Sequence, residues 1–211
     1  MPQAPNRRRS FVTSLVVFVI LSLGIHHSTH AAIVYSGLQN IPIATNFDGT
    51  YLDVDTATTS TSAITGWDVN FFFGGYGIAN SAAFQPVRAS TSNMSAVLNL
   101  ASGTLVDGGS VFSTGEAGSD SHMGTGIVQF APGTDGYIGF KFTTNTSDGP
   151  YYGWMRVNLT YNTAGAVIKD WAYDDSGLGI NAGSMLVVPE PQRASLALLG
   201  MIGLSFYRRR K

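Results

Sequence analysis

The sequence predicts an all-β protein whose folded part is a single β-sandwich, and three observations predict it. The body of the chain is rich in Gly, Ser, Thr and Asn and poor in Lys, Glu and Leu. No stretch of it carries several turns of apolar spacing at i, i+3, i+4 and i+7 without a glycine or polar break. Short apolar or alternating runs bounded by turn residues recur instead, which is how strands and their connections read. Strands of this length must bury an apolar face against a second layer, so two packed sheets are the economical arrangement. Jelly-roll and immunoglobulin-like connectivities both remain open.

Taken in order, the clearest strand candidates are 67–73, 96–100, 126–130, 137–143, 151–161 and 166–173. Residues 56–62 (TATTSTS) are low in complexity and read as an exposed loop. The last three candidates read as a meander. Ile138, Phe140 and Phe142 share one face of their strand, with Tyr137 and Lys141 on the other. Tyr151, Met155, Val157, Leu159 and Tyr161 fall together, opposite Trp154, Arg156, Asn158 and Thr160. Ser147-Asp148-Gly149-Pro150 and Asn162-Thr163-Ala164-Gly165 supply turn chemistry between them.

The two ends differ from this body. Arg7, Arg8 and Arg9 precede the apolar run 11–25 and the short polar stretch HHSTHA, with Thr29 and Ala31 as small residues before a cut. That order predicts a secretory signal over residues 1–31 and a mature start near Ala32. Arg8-Arg9-Ser10-Phe11 also resembles a twin-arginine signal, so either export route fits. Residues 32–187 then form one domain, enough for a substantial core and too few for two. Between residues 32 and 188 the cations are Arg88, Lys141, Arg156 and Lys169 against twelve acids, so the body carries about minus eight while the whole chain carries −1. Nucleic acid is a poor partner for such a surface, because its binding rests on cations that neutralise phosphates. The absence of cysteine excludes thiol catalysis, Fe–S clusters and cysteine-based zinc sites.

At the C-terminus, Pro189-Glu190-Pro191 precedes the apolar residues 194–207, and Arg208, Arg209, Arg210 and Lys211 end the chain. Fourteen residues, apolar apart from Ser195 and Ser205, are short for a membrane span, which usually takes about 20. The basic end would stay on the cytoplasmic side and leave the body outside. The order of tripeptide, Leu/Gly-rich segment and basic cluster resembles the PEP-CTERM sorting signal, over residues 188–211. The resemblance implies a short transmembrane helix, recognition and processing by an exosortase-type enzyme, and an enveloped bacterium that makes an extracellular polymer. Gln192-Arg193 departs from the family's pattern, which usually has a small hydroxyl residue followed by apolar ones. A second resemblance covers about residues 136–183, where Gly-Phe-Lys-Phe, Tyr-Gly-Trp-Met-Arg-Val and Asp-Trp-Ala-Tyr follow one another as in PEP-CTERM proteins of unassigned role. It carries no catalytic residues across.

The body offers little for catalysis. His122 is its only histidine and lies in a glycine-rich loop with no Gly-x-Ser-x-Gly elbow in the chain. Glu116 is its only glutamate, and no pair of carboxylates is marked as a glycosidase pair. Calcium is the better candidate, since hard cations take carboxylate and carbonyl oxygens from loops. Asp48, Asp53 and Asp55 form one acidic cluster, and Asp170, Asp174 and Asp175 another, neither with EF-hand spacing. Solvated turn aspartates explain both more simply, and Asp174-Asp175 suits a strand end that bonds local amides. Among the aromatic residues Trp67, Trp154, Trp171, Tyr76, Tyr151, Tyr152 and Tyr173, most are expected in the core. Tyr152 and Trp154 are the first candidates among them to lie outside, where flat rings could meet sugars, because their strand face also carries Arg156 and Asn158.

The expectation is therefore an exported, non-enzymatic protein of the cell surface or extracellular matrix, adhesive or associated with exopolysaccharide. It needs no cofactor except calcium in the alternative reading, a lectin-like carbohydrate-binding module. A polysaccharide-active enzyme is the third reading. The expected partners are the processing enzyme, the inner membrane in passing, and extracellular polysaccharide.

Overall fold

The computed structural model describes residues 32–113, 117–119 and 129–185. The signal, the sorting motif Pro189-Glu190-Pro191, the basic residues Arg208 to Lys211, Glu116 and His122 lie outside them. Thirteen strands follow in order: β1 (Ile33–Tyr35), β2 (Ile41–Pro42), β3 (Thr50–Asp53), β4 (Thr58–Ser60), β5 (Val69–Phe72), β6 (Gly77–Asn80), β7 (Phe84–Pro86), β8 (Leu105–Val106), β9 (Ala117–Ser119), β10 (Asp135–Phe142), β11 (Tyr151–Asn158), β12 (Val167–Asp174) and β13 (Ile180–Asn181). Among the described residues there is no α-helix, only a 3-10 turn at Phe73–Gly75, and no helix long and apolar enough to cross a membrane.

All the strand pairs are antiparallel. One sheet runs β1-β12-β11-β10-β7, with β2 also on β12, and another runs β4-β3-β5-β6-β9. The expected meander is its centre: β10, β11 and β12 pair in sequence over eight residues each. Leu52, Val69, Phe71 and Ile78 from the second sheet share one buried cluster with Ile138, Phe140, Met155, Val157, Ile168 and Trp171 from the first. The fold is thus a β-sandwich-like pair of sheets. Each such side chain contributes about 1.5–3 kcal/mol by leaving water, so this interlayer cluster dominates the stabilisation.

Two devices shape the central sheet. Between Arg156 and Val157 the register on β12 slips by one residue, so that Lys169 is the extra residue of a bulge. The slip lets both Ile168 and Trp171, three apart, face the same core, which strict alternation forbids. Gly153 sits beneath the Phe140 ring, where an added Cβ would come 2.3 Å from the ring's Cζ and 2.7 Å from the Ala172 carbonyl oxygen. Only a glycine admits that contact.

The sequence reading needs three corrections here. Trp154, a candidate for the outer surface, is 1% exposed. The chain after β12 folds back so that β13 pairs with β8, and Ile180 and Ala182 close over Trp154 and Ala172 on the outer sheet face. Trp154 Nε1 donates to the Ser184 carbonyl at 2.9 Å, so its polar edge is satisfied as well. Part of the expected loop 56–62 is the edge strand β4, paired with β3. Residues 96–100, expected as a strand, make only isolated bridges, Arg88 with Val97 and Leu100 with Tyr137.

Candidate functional site

Three connections meet at one end of β3. The chain leaves β3 through Asp53, Val54 and Asp55, and turns back into β4 with Ala57 in the left-handed region at φ 55°. The Thr56 amide donates to Asp53 Oδ1 at 3.1 Å and fixes this turn. Asp68, one residue before β5, donates its amide to the Leu52 carbonyl at 2.9 Å and accepts the Val54 amide on Oδ2 at 2.7 Å. From the β10–β11 connection, Asn145 donates its amide to Asp55 Oδ2 at 3.0 Å. Its Nδ2 donates to Asp53 Oδ2 at 2.8 Å and to Asp55 Oδ1 at 3.2 Å. Gly66, at φ 81°, lies so close to Asn145 Oδ1 that a Cβ there would sit 2.5 Å from it.

The outcome is that Asp53, Asp55 and Asp68 bring one carboxylate oxygen each within 4.8 Å of the others. Two oxygens on opposite sides of a calcium ion, each bonded at about 2.4 Å, are spaced by this much. A half-turn of the Asn145 amide would add a fourth oxygen in place of its NH2. Asp53 and Asp68 are each 3% exposed, and Asp55 is half-buried.

The electrostatics follow from this crowding. Burial pushes Asp68 up to about 7, against the Val54 hydrogen bond, and the charges of Asp53 and Asp55 add to the rise. Asp55 is raised by burial and by its contact with Asp53. For Asp53, burial acts upward, but hydrogen bonds from Asp55, Thr56 and Asn145 outweigh it and hold the group below its ordinary value. Of the three, Asp68 is therefore the carboxyl that holds a proton near neutral pH, and a cation bound here would displace it. Beside them Tyr173 stacks on Tyr151 at 5.9 Å and 14°, and burial followed by the charge of Asp55 raises the Tyr173 phenol.

The sequence reading is met in part. Asp53 and Asp55 come together, but Asp48 is not with them. It lies on the exposed loop before β3, where its carbonyl accepts Asn70 Nδ2 at 3.2 Å. It precedes β3, whereas Asp53 is the last residue of that strand. Asp68 and Asn145 were not anticipated. The signal for Asp68 was an acid inside the mostly apolar run 67–73; nothing local marked Asn145.

The second acidic cluster divides into three separate roles. Asp170, fully buried, receives Arg156 Nε at 3.0 Å, Arg156 Nη2 at 2.5 Å and the Tyr35 hydroxyl at 2.9 Å. Asp174 takes the amides of Ser176 at 2.8 Å and Gly179 at 3.1 Å, so it ends β12 as a local cap. Asp175 receives the Ala32 nitrogen at 2.9 Å. Of the two aromatic residues expected to meet sugars, Trp154 is buried. Tyr152 is half-buried against Phe112, ring centroids 6.2 Å apart, with Lys141 Nζ 4.8 Å over the Phe112 ring.

No protein-family model, no curated protein and no solved structure matches the chain.

Proposed function

We propose that the chain is an exported, non-enzymatic protein of the cell surface or extracellular matrix, whose C-terminal tail is handled by an exosortase-type enzyme. The observation that carries this is the order of Pro189-Glu190-Pro191, apolar segment and basic end behind an N-terminal export signal. The first ladder pair is Ile33 with Asp174, just after the expected cut, and the Ser184 carbonyl, on Trp154, holds the chain shortly before the motif. The body would be delivered outside and contribute to adhesion or to the architecture of an extracellular polymer. Intact mass and terminal sequencing of the protein from the producing cell's envelope and medium test this. A product that starts near Ala32 and lacks the tail beyond the tripeptide supports it. A full-length, membrane-held tail would reduce the C-terminus to a plain anchor and end the exosortase assignment.

A calcium-assisted carbohydrate-binding module is the second reading, favoured by the Asp53, Asp55 and Asp68 oxygens beside the Tyr151–Tyr173 pair. Retention on the producer's own polysaccharide, present with calcium and lost with a chelator, would support it; equal elution in both would remove it. The same carboxylates do not suit a glycosidase. Retaining and inverting pairs stand about 5–5.5 and 6.5–9.5 Å apart around a sugar, and here the oxygens crowd within 4.8 Å with two of the three residues 3% exposed.

A further inference from the structure

We propose that cleavage between Ala31 and Ala32 places a free α-ammonium on Asp175, so that removal of the leader completes an ion pair the uncut chain lacks. The proposal rests on the export reading given above. Ala32 and Asp175 lie next to Ile33 and Asp174, the terminal pair of the β1–β12 ladder. The Ala32 nitrogen donates to Asp175 Oδ1 at 2.9 Å, and the Asp175 amide returns a bond to the Ala32 carbonyl at 3.2 Å.

In the uncut chain that nitrogen is a neutral amide with one hydrogen to give. Hydrolysis puts water's oxygen on the Ala31 carbonyl carbon and a proton on the Ala32 nitrogen, which takes up another at neutral pH. The donor at the carboxylate then has three hydrogens and a full positive charge, a charge-assisted bond where a neutral one stood. Other described cations are engaged elsewhere: Arg156 with Asp170, Lys169 with Asp135, Lys141 over Phe112, and Arg88 in the interior.

The ladder also fixes an order of events. With both its nitrogen and its carbonyl bonded to Asp175, Ala32 is held against the end of β12. A peptidase must grip the chain extended on both sides of the bond it cuts, which competes with that pairing. Cleavage therefore acts while this end of β1 is unpaired, and when the strand pairs again the new ammonium stands where the neutral amide had bonded. This is capture of an N-terminal amine by the protein's own fold.

The test uses two chains ending at Lys211, kept in mild detergent: one released from a fusion so that it begins at Ala32, the other beginning at Ala31. The pH dependence of α-amine acylation, located by peptide mass mapping, gives the amine pKa of each. An exposed pair raises it by about half a unit. The rise is expected in the Ala32 chain alone and is expected to vanish in its Asp175→Asn variant and in about 1 M salt. Asn keeps an oxygen for the Ala32 nitrogen, so the ladder survives in that variant. Equal values in all of these would overturn the proposal, as would a rise that persists without the Asp175 charge. Terminal sequencing of the native product judges the premise separately: a mature start other than Ala32 sinks the cleavage site, whatever the amine titration shows.

Discussion

Asp68 shows how one side chain ties the fold to pH. Its folded pKa is about 7, whereas an unfolded chain gives about 3.9. The folded state thus holds this proton more tightly. The stability it contributes is full below about pH 4 and is lost as pH rises through 7, on the order of 3–4 kcal/mol over the window. Asp53, displaced downward, acts in the opposite sense: its contribution is present above the ordinary carboxylate range and is lost as pH falls through the lowered value. Cation-free protein should therefore melt at a lower temperature at pH 8 than at pH 5.5, and Asp68→Asn should flatten that slope. A calorimetric series across this range checks both; an unchanged slope in the variant would place the titration elsewhere.

At the scale of elements, the flap formed by β8 and β13 decides what the central sheet can offer. It covers Trp154 and Ala172 on the face opposite the main cluster, so the middle of the sheet is buried on both sides. Trp154→Ala should cost about 3–5 kcal/mol, as large-to-small changes at buried aromatics do. Trp154→Phe should lose less, chiefly the bond to Ser184. Gly153→Ala, on the same strand but facing the other layer, should cost about 1–3 kcal/mol by driving a methyl group against the Phe140 ring and the Ala172 carbonyl. Denaturant unfolding measures all three. A neutral Trp154→Ala would mean that the flap does not pack on the sheet in solution.

For the whole molecule, the acidic balance and the carboxylate trio point to the same solution behaviour. A cation that binds only the folded state at a hundred times its dissociation constant adds about 2.7 kcal/mol. For a domain of this size that is about 5–10 °C in melting temperature. Because calcium must displace the proton of Asp68, the gain should be larger at pH 8 than at pH 5.5 and absent from Asp68→Asn. Melting curves with calcium and with chelator, at both pH values, provide the check. An equal gain in the variant would place calcium at another site, and no gain in either would remove the trio as a calcium site.

The sequence by itself determined the class of fold and the faces of the meander, because alternation along a strand is a local property. Ile138, Phe140 and Phe142 on β10, and Met155 and Val157 on β11, turn inward as their spacing requires. It also set out the signal-like front and the sorting-like tail, which are linear patterns. Only the tertiary structure decided the fate of Trp154, because the residues that cover it, Ile180 and Ala182, arrive from a later segment that folds back. The same holds for the carboxylate trio. Asp68 reaches Asp53 and Asp55 through the β3–β5 pairing, and Asn145 joins from some 90 residues further along the chain. Such contacts depend on register and on which connections share an end of the sheets, and the bulge at Lys169 shows how one inserted residue redirects the side chains of a strand. Local spacing cannot carry that information, since it is set by the pairing of distant strands.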